Sequence, residues 1–226
     1  MRLRNLFLQD MRFQARYGFY FLYAVLTVLY VAILSAVPEG WREKTAAILI
    51  FSDPASMGLF FMGAIVLLEK SQHTPWAFVV SPVRPMEYVL GKMGSLMTVS
   101  LAVAAVLALA AGVGHLLMVL AGTAMASALF TLSGIVVASK ISSLNQFILW
   151  TVPVEAVSFV PAVLHLFRIT PAWLRYYPVN VCMEMVSGTV PSPVGILTAA
   201  AWTAVLLRFS GDCVLDMWSK GGGGEG

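Results

Sequence analysis

Apolar runs close to or longer than the ~20 residues that cross a bilayer as a helix recur along the whole of this 226-residue chain. They fall at about 17–37, within 45–68, and at about 93–111, 116–138, 144–167 and 194–209. Lipid offers no water to backbone amides, so each run must satisfy its own polar groups, which a helix does. The expectation is an all-α polytopic membrane protein with six transmembrane helices. Only 11% of the residues are charged, against roughly 25% in a soluble domain, and no stretch is long and polar enough for a separate soluble domain. Three segments are expected: an amphipathic interfacial helix over 1–16, a six-span domain over 17–210, and a flexible cytoplasmic tail over 211–226 that ends in a glycine run. The first 37 residues do not read as a cleaved signal peptide, because arginines are spread through them and no small-residue cleavage site follows.

Six spans place both termini on one side. On that reading Arg2, Arg4, Arg12, Arg16, Lys70, Arg84, Lys92, Lys140, Arg208 and Lys220 share the side of the termini, and Arg42, Lys44, Arg168 and Arg175 take the other. Ten of the 14 basic residues therefore mark that side as cytoplasmic. The net charge of +3 is explained by orientation, so no nucleic-acid partner is inferred. Trp41 and Trp173 are expected at the outer headgroups, Trp76 and Trp218 at the inner ones. Cys182 and Cys213 fall on opposite sides, which excludes a disulfide between them.

The first helix places Leu3, Leu6, Phe7, Met11, Phe13 and Tyr17 on one face, with Arg2, Asn5, Gln9, Arg12 and Arg16 opposite, a pattern of helices that lie in the membrane surface. Asp10 and Gln14 interrupt the apolar arc. They are expected to reach sideways to water or to nearby arginines; the alternative is that Asp10 contacts a polar island at 69–92 or a partner. That island runs between two apolar stretches and contains two helix-start dipeptides, Thr74-Pro75 and Ser81-Pro82. Thr or Ser caps a first turn and Pro fits the first helical position. The island therefore reads as a short helix across the membrane face, a turn, and the start of the next span. Such a piece is shaped to dock into another protein, with Trp76 and Phe78 as aromatic anchors and Glu69, Lys70 and Arg84 setting register.

Residues 168–193 form a second irregular region, too apolar for a wet loop. Thr170-Pro171, Pro178 and Gly188 punctuate it into two short helices that cover the outer face or dip partway into the membrane. Ionisable residues within spans are functional candidates. Asp53 precedes Pro54 and is expected to cap a helix beginning there, with a place on a substrate path as the alternative. Glu155 lies near the middle of the fifth span between Pro153 and Pro161 and is a substrate-path or proton candidate. His165, near the outer end, is expected to pack at the interface.

The order of an amphipathic lead-in, Glu69-Lys70, the Thr-Pro-Trp-Ala-Phe-Val-Val segment at 74–80, Ser81-Pro82-Val83 and Glu87-Tyr88-Val89-Leu90-Gly91-Lys92 resembles the permease subunit of type-2 ABC exporters. The lead-in from Gln9 to Tyr20 and Phe51-Ser52-Asp53-Pro54 resemble the branch named for fluoroquinolone export. This resemblance implies that Glu69, Lys70, Thr74, Pro75, Trp76, Phe78, Ser81, Pro82 and Arg84 belong to a cytoplasmic coupling helix and its flanks, seated on a separate ABC ATP-binding subunit. It implies outer re-entrant helices over 168–193, a second copy of the chain or a homologous permease, and a bacterial or archaeal plasma membrane. The implied function is export of a hydrophobic or amphipathic small molecule by alternating access.

Consistent with that division of labour, the chain carries no Gly-x-x-x-x-Gly-Lys-[Ser/Thr] phosphate loop: Met86 stands where Gly91-Lys92 needs its earlier glycine. No cofactor is expected in this chain, and ATP and Mg belong to the partner. An intramembrane enzyme is not expected either, since there is no His-Glu-x-x-His and the three histidines are scattered. A secondary transporter or channel using Glu155, or a non-transporting membrane scaffold subunit, are the rival readings.

Overall fold

A computed structural model describes residues 2–79 and 81–222; the side chains of Arg2, residues 54–57, Trp76 and residues 220–222 lie outside the description. The described chain is helical and contains no strand. The order is α1 (Arg2–Arg16), α2 (Phe19–Ala36), α3 (Glu39–Ser56), a π-helical turn (Met57–Phe61), α4 (Met62–Ser71), α5 (Thr74–Val79), α6 (Pro85–Ala111), α7 (Leu116–Lys140) and α8 (Leu144–Leu166). A short 3₁₀ turn (Ala172–Tyr176), α9 (Pro178–Val186) and α10 (Pro193–Gly222) complete it. α3, the π turn and α4 make one continuous helix, Glu39–Ser71, and with α2, α6, α7, α8 and α10 it supplies six helices long and apolar enough to cross a membrane.

These six do not contribute equally to the core. In α6, α7 and the Glu39–Ser71 helix, between 44% and 57% of the apolar stretch is buried, against 11%, 17% and 22% in α2, α8 and α10. Three helices therefore form the centre and three the outside. Exposed Phe21, Val28, Leu149, Val157, Leu197 and Val205 lie on the outer helices, facing where lipid tails are the solvent.

Close approach at the centre depends on glycine. A Cβ on Gly134 of α7 would lie 2.7 Å from the Leu59 carbonyl oxygen and 3.0 Å from that of Gly58, so α7 crosses the π turn backbone to backbone. Gly63 makes room for the Phe147 ring, whose nearest atom would lie 1.9 Å from an added Cβ. Gly122 of α7 lets α9 approach, facing Met185 and the Cys182 carbonyl.

Several expectations change here. Asp53 does not begin a helix: α3 starts at Glu39 and runs through it, and a π turn, Met57–Phe61, follows one turn later. Of the tail expected from 211, residues up to Gly222 continue α10, because Cys213, Val214, Met217 and Trp218 are buried. Residues 223–226 lie outside the described residues. Ser81-Pro82 does not start the sixth helix. The Ser81 hydroxyl folds back to donate to the Phe78 carbonyl at 2.9 Å, and the helix begins three residues later at Pro85, where the Glu87 carboxylate accepts the Arg84 N–H at 2.9 Å.

At the end of the bundle opposite the termini, α9 is buried nearly throughout and packs on α7, α8 and α10. His165 does more than pack there: Nδ1 lies 2.8 Å from the Thr170 hydroxyl and Nε2 2.9 Å from Glu184 Oε1, which ties α8 to α9. A cavity of about 600 Å³ opens beside this pair, lined by Lys44, Arg168, Arg175 and Glu43 among others. Both cysteines are buried and free.

Candidate functional site

The end of the bundle that carries both termini is held by charge. Lys92, about two turns into α6, is 3% exposed, and its ammonium donates to Asp10 Oδ1 of α1 at 2.9 Å and to Glu69 Oε1 of α4 at 2.7 Å. The second oxygen of Asp10 accepts from Gln14 at 2.9 Å and from the Ser95 hydroxyl. The second oxygen of Glu69 accepts the Tyr88 hydroxyl at 2.6 Å. Two carboxylates thus share one ammonium, and each also receives at least one neutral donor, the condition under which buried charge is tolerated. Asp10 and Gln14 do not reach out to water or to arginines as expected: both are buried, because α1 lays its interrupted arc on α6.

Tyr88 passes the connection to α5. Its ring meets Phe78 edge-on at 5.3 Å and Trp218 edge-on at 5.6 Å, while Phe78 stacks on Trp218 at 5.3 Å. Such aromatic pairs contribute about 0.5–1.5 kcal/mol each beyond burial. Trp218, expected among inner headgroups, is therefore buried beneath α5 by the end of α10. Phe78, expected to anchor in a partner's groove, is half-buried and fastens α5 to its own chain through these rings. The Gln72 amide donates to the Tyr17 hydroxyl at 2.7 Å and closes the ring between α4 and α1.

Lys70 is also engaged within the chain. Its ammonium donates to the carbonyls of Ala138, Ser139 and Ile141 at 2.7, 2.8 and 2.8 Å, satisfying groups that the end of α7 leaves open. Glu69 and Lys70 therefore set the register of α4 against α6 and α7, Glu69 buried and Lys70 partly exposed. What α5 and its flanks do present is Ala77 and Val79, with Pro82 and Arg84 exposed beside them; Thr74 is partly covered and Pro75 buried. Trp76 is helical but its side chain lies outside the description, as does Val80. A cavity of about 190 Å³ lies under this surface, walled by Leu6, Phe13, Gln72 and the charged trio.

Elsewhere, Asp53 is buried in the centre of the bundle, and Glu155 is half-buried on α8. Among the described residues no group of three or more His, Cys, Asp or Glu is placed to hold a metal ion. The sequence places Lys92 in a motif and among the basic residues on the side of the termini, but does not pair it with Asp10 across the fold. The available signal was a lysine inside an apolar run together with an acid inside an apolar arc, each costly unless matched.

The Fluoroquinolones export permease protein family model matches residues 1–213. Two fluoroquinolones export permease proteins of Mycobacterium tuberculosis, from strains CDC 1551 / Oshkosh and ATCC 25618 / H37Rv, are each 31% identical over 151 residues, which is 66% of this chain. The matched region spans 64% of the length of those relatives. Six membrane-crossing helices and a match over nearly the whole described chain agree: this chain belongs to the fluoroquinolones export permease family.

Proposed function

We propose that the chain is the transmembrane permease subunit of an ATP-driven ABC exporter, working with a separate ATP-binding subunit that holds ATP and Mg. A second copy of the chain, or a homologous permease, completes the unit. Both termini and α5 face the cytoplasm of a bacterial or archaeal plasma membrane, as the distribution of basic residues supports. The cargo is a hydrophobic or amphipathic small molecule, with fluoroquinolones the first to test, given the names of its relatives.

The observation that carries this reading is the mounting of α5. A helix of six residues has no stability of its own in water, yet this one is held by Phe78 and Pro75 on one side and leaves Ala77 and Val79 outward. Through Phe78, Tyr88 and Trp218 it is fixed to α6 and α10, and through Glu69 and Lys92 to α4 and α1. A partner that moves α5 when its own ATP site closes moves four longer elements with it. Alternating access then requires two packings of the spans whose balance the partner biases. Glu155, half-buried on α8, is the candidate contact on the substrate path, and Trp76 remains a candidate anchor.

The test is reconstitution in liposomes with candidate ATP-binding subunits, scoring ATP hydrolysis and drug movement. Ala77→Asp with Val79→Asp, and separately Trp76→Asp, place charge on the outward side of α5. Partner-dependent hydrolysis, abolished in the first variant while the chain stays folded, is the expected result. A folded chain that binds no ATP-binding subunit, or full coupling in the double variant, overturns the reading.

A further inference from the structure

Asp53 stands apart from the charge network at the base. It lies in α3, is 1% exposed, and neither carboxyl oxygen has a hydrogen-bond partner. Asp10, comparably buried, accepts from Lys92, Gln14 and Ser95. No Lys, Arg or His among the described residues lies within ion-pairing distance of Asp53. An ionised carboxylate buried this deeply without a counter-charge carries a large penalty, and such a group takes up a proton instead.

From α2, Tyr23 lies within electrostatic reach of Asp53 and its hydroxyl is buried and unpartnered, whereas Tyr20 lies toward Asp10 at the base. From α6, the Ser100 hydroxyl is a neutral donor that faces Asp53 closely, although neither Asp53 oxygen has a full hydrogen bond, while Lys92, two turns away, is committed to Asp10 and Glu69. From α7 come Thr123, Ser127 and Thr131, four residues apart along one face, buried, with unpartnered hydroxyls and no ionisable group. α8 contributes Glu155, and α9 contributes Cys182 and Glu184, the latter held by His165. Within its own helix, Glu69 and Lys70 are engaged at the base, and Glu43 and Lys44 line the cavity at the opposite end. None supplies a positive charge at Asp53.

A second observation is mechanical. The π turn Met57–Phe61 begins one turn after Asp53, and it is there that Gly134 of α7 crosses the backbone closely. A π turn lets one half of a helix change register against the other, and such turns recur at functional positions. A shift of α3 about this turn moves Asp53 relative to Ser100 and to the hydroxyl stripe of α7.

We propose that Asp53 is a proton-binding site inside the bundle: it is neutral in this packing and gives its proton to water in a packing where α3 has moved. The step is an exchange between a carboxylic acid with water and a carboxylate with hydronium, in which only O–H bonds form and break. A proton fits better than a metal cation because one oxygen suffices for it, whereas hard cations collect about six or more oxygen ligands. The site stands without the ATP-binding partner. Its consequence, that one of the two transport states carries an extra proton, rests on the exporter reading.

The experiment uses the chain alone in lipid. Infrared spectroscopy at neutral pH should show the stretch of a protonated, dehydrated carboxyl, removed in Asp53→Asn and kept in Glu155→Gln and Glu184→Gln. Labelling all aspartates with carbon-13 at the side-chain carboxyl should move the band without any substitution, which preserves the test if Asp53→Asn does not fold. Reversible unfolding should show wild type losing stability relative to Asp53→Asn as pH rises above the range of a solvated carboxyl. The slope is up to tenfold in the folding constant per pH unit, and exchanging sodium for potassium leaves it unchanged. No such band, a band that survives Asp53→Asn, parallel pH profiles, or a profile moved by the choice of cation overturns the proposal. Loss of coupling to an ATP-binding subunit leaves these readouts untouched, so failure of the exporter reading is told apart from failure of this one.

Discussion

Replacing Lys92 by Met tests whether the base is held by charge or by the packing around it. The stem of Lys92 is buried and Met fills much the same volume, so the change removes an ammonium and little else. Asp10 and Glu69 then lose the cation that each contacts, at 2.9 and 2.7 Å. Breaking a buried ion pair from one side costs about 3–5 kcal/mol, because the carboxylates left behind are uncompensated. Here the remaining donors soften the loss. Tyr88 still bonds Glu69 at 2.6 Å and Gln14 still bonds Asp10 at 2.9 Å, and hydrogen bonds to a charged group are worth about 1.5–3 kcal/mol. The lower end, about 3 kcal/mol or roughly a hundredfold in the folding equilibrium, is expected. Adding Asp10→Asn and Glu69→Gln in the same chain removes both orphaned charges. That triple variant should return to within about 1 kcal/mol of wild type, since neutral replacement of a buried ion group is often close to neutral in stability. Reversible unfolding in mixed micelles measures both. A cost below about 1 kcal/mol for Lys92→Met, or a triple variant no more stable than the single one, would refute the charge-locked base.

Lys70→Met should uncap α7 and cost about 1–2 kcal/mol, read as faster hydrogen exchange confined to the amides near Ala138–Ile141. Phe78→Ala should loosen α5 by removing two ring contacts of about 0.5–1.5 kcal/mol each along with its buried area; exchange across 74–79 should rise at least tenfold while α6 and α7 stay protected. Gly134→Ala pushes a methyl against the Leu59 carbonyl at 2.7 Å and should cost about 1–3 kcal/mol in unfolding experiments. Gly112→Ala meets open space but carries φ +73° and should cost about 1–2 kcal/mol, through the backbone alone.

The spans were legible because each apolar run is long enough to decide for itself, whatever the rest of the chain does. What the sequence did not disclose lies where two local signals compete or where distant segments meet. Ser81-Pro82 and Arg84-Pro85 are both start signals three residues apart. Glu87 decides between them, since its carboxylate reaches the Arg84 N–H and has no equivalent three residues after Ser81. Asp53-Pro54 has the form of a helix start, yet the hydrophobic run on both sides keeps the helix going from Glu39 to Ser56. Trp218 reads as a headgroup anchor from position alone, and only the return of α10 beneath α5 buries it. The Asp10–Lys92 pair joins residues 82 apart in sequence. Each is visible as an anomaly in its own helix, but nothing local says that the two anomalies cancel.

The fold divides its polar residues in a way that bears on how motion would cross it. At the base, the charged groups Asp10, Glu69, Lys92 and Lys70 and the Tyr88 hydroxyl all have partners, with Gln14 Oε1 and Trp218 Nε1 left open, and a displacement of α5 meets short contacts. In the centre, Asp53, Tyr23, Thr123, Ser127 and Thr131 have none, although burial costs them as much. A lever transmits only what its joints do not absorb, so the satisfied contacts belong where force enters. Unsatisfied ones belong where a second arrangement has to be within reach: hydroxyls without partners in one packing lose nothing by sliding to another. If α3 shifts against α7 at the π turn, the base moves as one piece and the change falls on the hydroxyl stripe and Asp53. Filling that stripe with Thr123→Val, Ser127→Ala and Thr131→Val should therefore raise stability in unfolding experiments, since three unpaired polar groups leave the core. The same variant should slow the exchange of Asp53 with deuterated water. A stripe variant that is less stable, or exchanges faster, would place the moving surface elsewhere.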